Sequence, residues 1–184
     1  PLELQAEADG GSLGAVNSHV TVGSHWQRWS ALANFDHGHS QGYALLPGSS
    51  LASPEQDRHS GLLKLDYSPS MRWHFAFLST ADAGESTGGD TNTAVHDRSG
   101  TQADALTAAW TLDASSTLTA RAYQSRYDED SFNLAAGAPD IQTDPGNVHE
   151  RYRRADSTYR RQLGAEQLVQ AGYELAGDRY TGDN

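Results

Sequence analysis

Every second residue is apolar over one segment of the chain after another, and this period of two constrains the fold more than any other feature. In LKLDYSPSMRWHFAF (Leu63–Phe77), Leu63, Leu65 and Tyr67 alternate with Lys64 and Asp66. After a Ser-Pro-Ser break, Trp73, Phe75 and Phe77 alternate with Arg72 and His74. Successive side chains of an extended chain point to opposite faces, so the stretch predicts a hairpin with one apolar and one polar face. The same pattern predicts strands near Leu2–Ala8, Ala15–Val22, Arg28–Asp36, His59–Tyr67, Met71–Thr80, Ala103–Leu112, Thr117–Tyr127, Tyr159–Glu166 and Val169–Leu175. The chain is therefore all-β, with about nine antiparallel up-and-down strands.

The connections alternate in length. Short turns follow strands two, four and six, the first of them read at Gly23–Trp26. Long polar loops cover about His37–Asp57, Ala83–Gly100 and Asp128–Ser157. Only the first hairpin, turning at Asp9–Gly14, places a short turn on the long-loop side. The strands are about 8–12 residues, longer than the 5–6 usual in soluble sheets, and a tilted strand crossing a bilayer needs about 9–11. The hydrophobic fraction of 36% and mean hydropathy of −0.67 leave no run long enough for a membrane helix. They do not bear on a membrane strand, which needs an apolar residue only at alternate positions.

Aromatic placement follows the same asymmetry. Trp26 and Trp29 flank the first short turn, Tyr67 and Trp73 the second, and Trp110 precedes the third. Indole and phenol rings favour the membrane–water interface, where the body sits in hydrocarbon and the polar tip stays wet. The expected arrangement is a transmembrane barrel segment with Leu63, Leu65, Phe75, Phe77, Leu106, Ala108, Leu118 and Ala120 toward lipid. Lys64, Asp66, Arg72, His74, Thr107, Thr119, Arg121 and Tyr123 then face a wet interior. A soluble sandwich or solenoid shares the alternation; strand length, loop asymmetry and the charged second face favour the barrel.

At this point the chain resembles the TonB-dependent receptors of Gram-negative outer membranes. The resemblance is carried by LELQAEADGGSLGAVNSHVTVGSHWQRWSALANFDHGHSQGY, and LLKLDYSPSMRWHFAF and TAAWTLDASSTLTARAYQSRYDEDSF keep the same cadence. It implies a 22-stranded barrel around an N-terminal plug whose TonB box engages an energised inner-membrane complex. No plug, TonB box or closing aromatic strand lies within these residues. The chain therefore reads, from residue 1 to 184, as part of a larger multi-pass barrel in the outer membrane, with signal removal or an internal start explaining Pro1. The resemblance is loosely nearest to vitamin B12 and siderophore receptors, and implies uptake of a scarce metal chelate or cobalamin-like cofactor. A passive porin or an adhesin is the alternative.

Composition narrows the chemistry. A net charge of −11 with one lysine argues against nucleic acid as a partner. The absence of cysteine excludes disulfides, thiol catalysis and cysteine-bound zinc. No G-x-S-x-G, H-E-x-x-H, P-loop or G-x-G-x-x-G motif is present, so no enzymatic site is expected. His37 and His39 of the HGH triplet, two residues apart on an extended chain, point the same way and can touch a metal or its chelate. With Asp36, Tyr123 and Tyr127 they form the candidate substrate contacts near the long-loop rim. Arg151, Arg153 and Arg154 stand in RYRRADSTYRR and suit a phosphate or carboxylate, such as lipopolysaccharide or an anionic chelate. Carboxylates in YDED (Tyr127–Asp130), GGD (Gly88–Asp90) and DRYTGDN nominate calcium as the ion for the acidic loops. No other cofactor is expected.

Overall fold

The structure, a computed structural model, describes residues 2–42, 52–89, 93–135 and 138–183. Nine strands form: β1 (Leu2–Gly10), β2 (Val16–Trp26), β3 (Trp29–Ser40), β4 (Ala52–Ser70), β5 (Trp73–Gly89), β6 (Thr93–Asp113), β7 (Ser116–Ala135), β8 (Ala138–Gln162) and β9 (Leu168–Asp183). Each pairs antiparallel with the next, in sequence order, in one open sheet whose edges are β1 and β9. Among the described residues the only helical piece is the 3₁₀ turn Ser12–Gly14 between β1 and β2. Gly14 takes φ +68° there, and a Cβ would sit 2.7 Å from Gln41. The left-handed backbone is what favours glycine there, since the flexible Gln41 side chain could move aside.

Directly opposed residues share a face, so the register sorts the side chains. One row runs Leu2–Ser24–Ala31–Leu65–Phe77–Leu106–Ala122–Ala155–Leu175 across all nine strands. One residue away, on the other face, a row runs His25–Ser30–Asp66–Ala76–Thr107–Arg121–Asp156–Glu174. A single serine interrupts the first row and a single alanine the second. The sheet thus separates the two sets of residues as the alternation requires: Leu63, Phe75, Ala108, Leu118 and Ala120 join the first face, and Lys64, His74, Thr119 and Tyr123 the second. Arg72 differs, lying in the two-residue turn Met71–Arg72.

The sheet is one layer. Among the described residues no apolar side chain is buried, and Leu2 (73%), Leu4 (70%) and Tyr173 (65%) stand open. A soluble domain covers the apolar face of a sheet with a second layer; this sheet has none of its own.

At the turn end the aromatic residues converge. Trp26 is paired with Trp29 and Trp29 with Tyr67. Trp29 stacks on Tyr67 at 3.9 Å, Trp73 on Phe75 at 5.6 Å, and Trp73 on Trp110 at 5.1 Å. The backbone holds the turns at one level: Arg28, Arg72 and Ser115 each accept, through their carbonyls, a 2.8 Å bond from Ser68, Thr111 and Gln162 of the following hairpin.

Two expectations need correction. The first short turn is Gln27–Arg28, and Gly23–Trp26 continues β2. Gly23 and Ser24 resemble turn residues, but the Trp26–Trp29 pair closes the hairpin two residues later. Two of the three long loops, Ala83–Gly100 and Asp128–Ser157, are mostly strand: β5 reaches Gly89, β6 begins at Thr93, and β8 runs 25 residues from Ala138 to Gln162. Where their side chains are described, these extensions carry polar residues on both faces, so hydrophobicity does not alternate along them, while the backbone ladder continues regardless. Cross-strand pairs support them. Arg58 donates to Asp82 at 2.9 Å, Ser131 to Asp97 at 2.6 Å, and His96 stacks on Phe132 at 4.8 Å.

Candidate functional site

The polar face carries a connected network in the half of the sheet toward β1. His19 donates to Asp36 through a short hydrogen bond, and Thr21 donates to His19 Nε2 at 2.7 Å. Ser60 reaches the other Asp36 oxygen at 3.4 Å. Nearer the turns, Asp66 lies 3.6 Å from Lys64 and 3.6 Å from His74 and accepts from Ser30 at 3.2 Å. In the other half, Arg154 bridges Asp156 at 3.4 Å and Glu174 at 2.8 Å. Tyr123 leans on Tyr152 at 5.9 Å. Tyr127 donates to Glu129, and that bond, with some desolvation, raises its hydroxyl above the usual range.

The five candidate substrate contacts therefore divide. Asp36, Tyr123 and Tyr127 share the polar face, but Asp36 lies on β3 and the tyrosines on β7, so they do not line one pocket. His37 and His39 lie on the opposite face, the one that is apolar nearer the turns. There they meet two residues that the sequence reading missed. His37 is paired with His59 and His39 with Asp57. The signal was present as two dyads, H-x-H and D-x-H, but assigning Asp57 to a loop hid their register.

The arginine triplet divides in the same way. Arg154 belongs to the polar face, whereas Arg151 and Arg153 lie on the other. Arg151 sits directly between Arg126 of β7 and Arg179 of β9. Like charges directly opposite one another are destabilising. Arg126 is offset by Asp128, which also lies 2.7 Å from His149. The hydrogen bond from Arg126, reinforced by that from His149, holds the Asp128 carboxyl below its ordinary range, while desolvation opposes the shift. Among the described residues Arg151 and Arg179 have no carboxylate within 4.0 Å. They line a concavity of about 300 Å³ with Arg126, Asp128, His149 and Thr181. Guanidinium forks are of the kind that pairs with a phosphate or carboxylate, and of these three only Arg126 already holds a carboxylate, that of Asp128.

Two of the acidic segments share a row, in which Asp130 of YDED and Asp183 of DRYTGDN stand on either side of Asn147. In YDED the strand sends Asp128 and Asp130 to one face and Glu129 to the other. Asp90 of GGD and the final Asn184 lie outside the described residues. No family model, curated protein or solved structure matches the chain.

Proposed function

We propose that the chain is a wall segment of an outer-membrane β-barrel of the TonB-dependent receptor type, serving uptake of a metal chelate or cobalamin-like cofactor. The observation that carries the membrane part is the one-layer sheet with an apolar belt interrupted only at Ser24, bordered at the turn end by stacked indole and phenol rings. Lipid covers the belt in this reading, and the interfacial preference of tryptophan sets the depth of the turns. The polar face lines the wet interior, where its paired carboxylates and bases meet a plug and the cargo. Both edge strands expose unpaired backbone groups, which a bilayer does not tolerate. Further strands of a larger barrel pair with them.

The strands outrun the bilayer. A crossing takes about 9–11 residues, and β6 and β7 have 21 and 20. The surplus projects beyond the membrane and carries the Arg126–Arg151–Arg179 row to the level of lipopolysaccharide phosphates. The step from barrel to energised receptor rests on the cadence of the first three strands. Uptake of labelled siderophore and cobalamin by cells lacking the gene tests it. The expected result is uptake that falls on deletion and also falls when the TonB complex is removed. Uptake that persists without that complex would point to a passive barrel instead.

A further inference from the structure

The two dyads on β3 and β4 form a cluster that neither transport nor lipid contact requires. His37 Nδ1 lies 3.1 Å from His59 Nδ1, and the rings stack at 4.5 Å. Asp57 Oδ1 is 3.5 Å from His37 Nδ1 and 3.0 Å from His59 Nε2. Its second oxygen lies 3.5 Å from His39 Nδ1. Donor atoms of His37, Asp57 and His59 all fall within 4.8 Å of one another. Asp57 Oδ1 is itself buried and accepts no hydrogen bond of good geometry. Two nitrogens bound at about 2.0–2.1 Å to one tetrahedral ion are roughly 3.3 Å apart, close to the spacing seen here.

We infer that His37, His59 and Asp57 bind one divalent transition-metal ion of the zinc, copper or nickel kind, with His39 beside the second Asp57 oxygen. Two imidazoles and one carboxylate suit such ions; calcium and magnesium want oxygen throughout. The site is built by register, since β3 supplies His37 and β4 supplies Asp57 and His59 at consecutive positions on the same face. An ion there ties β3 to β4 just beyond Phe35, whose ring lies 6.2 Å from that of His59. The cluster is on the face opposite Asp36, Tyr123 and Tyr127, so it is distinct from the cargo contacts, and metal binding does not depend on the transport reading.

Binding requires neutral imidazoles, so protons compete with the ion for the site. The charged groups facing the cluster are Glu55 on β4 and Glu85, the β5 partner of Asp57. Glu85 is held by His96 at 3.2 Å and Arg98 at 3.4 Å. The strand β2 brings only Ser18 and Val16 against it.

The test is calorimetric titration of the untagged, chelator-stripped full-length protein with Zn²⁺, with Cu²⁺ paramagnetic resonance as the second readout. One equivalent should saturate the protein in the presence of excess Ca²⁺, and the Cu²⁺ spectrum should show imidazole nitrogen splitting. His37→Ala and His59→Ala should each weaken binding by at least the roughly 10–100-fold typical of losing an outer-shell partner. Asp57→Asn keeps the shape and should also weaken it, whereas His25→Ala, at the turn end, should bind as wild type. Undetectable Zn²⁺ binding, displacement by Ca²⁺, or unchanged affinity in the His37→Ala/His59→Ala double variant would each overturn the assignment.

Discussion

The turn-end half of the sheet and the far half are built on one continuous backbone ladder, yet they differ in what their two faces meet. Near the turns, Leu65, Phe77 and Leu106 stand on one side and Asp66, Thr107 and Arg121 on the other. Farther along the same strands the first face becomes His37, Asp57, Glu85 and Arg98, while the second remains Asp36, Arg58 and Asp97. Polarity is asymmetric in one half and symmetric in the other. Hydrophobic alternation therefore measures a difference between two environments; it is not a property of a strand as such. In the membrane reading proposed above, the near half separates lipid from water. The far half is polar on both sides and holds together through backbone bonds and cross-strand polar pairs.

The largest expected effect breaks the near-half asymmetry. Phe77→Arg should destabilise the protein refolded in vesicles by about 2–4 kcal/mol if it meets the bilayer midplane. Ala76→Arg, one residue away, places the same charge opposite Asp66 and should be close to neutral in urea unfolding. Equal costs would dissolve the distinction between the faces. Next is the aromatic belt. A Trp73/Trp110 double-mutant cycle should return a coupling of about 0.5–1.5 kcal/mol beyond burial.

A smaller effect belongs to the far half. Arg151→Gln relieves repulsion from both neighbours and should stabilise the protein by about 0.2–1 kcal/mol at low salt. Lipopolysaccharide or inorganic phosphate should raise the unfolding midpoint of wild type more than that of the variant. Equal responses would remove the anion role from the row. The smallest concerns Asp113, the last residue of β6. Hydrogen bonds from Ser116 and then Ser115, with the charge of Arg161, hold its carboxyl well below the ordinary value of 3.8. A lowered folded-state value means stability that is present above 3.8 and lost as pH falls through the lower folded value. Asp113→Asn should be slightly less stable at neutral pH and should lack this part of the acid loss, as read by circular dichroism.

Alternation made the near half legible down to individual side chains. Leu63, Leu65, Phe75 and Phe77 could be placed on one face because Lys64, Asp66 and His74 alternate with them. The far half gave no such contrast, so residues 93–100 and 138–157 read as loop although they extend β6 and β8. The error propagated to the sites. Asp36, His37 and His39 were grouped by proximity in sequence, and so were Arg153 and Arg154, but a period of two sends adjacent residues to opposite faces. Asp57, His59, Arg126 and Arg179 become partners only once the register of the extensions is known. That register is set by the short turns, many residues away.

The stacked rings at the turn end also determine what light can report about this molecule. All four tryptophans, Trp26, Trp29, Trp73 and Trp110, belong to that one end. Indole emission is therefore a local gauge of the turn rim, blind to events at the histidine cluster or the arginine row. Trp73 and Trp110 lie 5.1 Å apart with planes inclined by only 5°, so their transitions couple and near-ultraviolet dichroism follows the closing of β5 onto β6. A ligand that leaves the fluorescence untouched has not thereby failed to bind; a probe placed on the far strands is needed to see it.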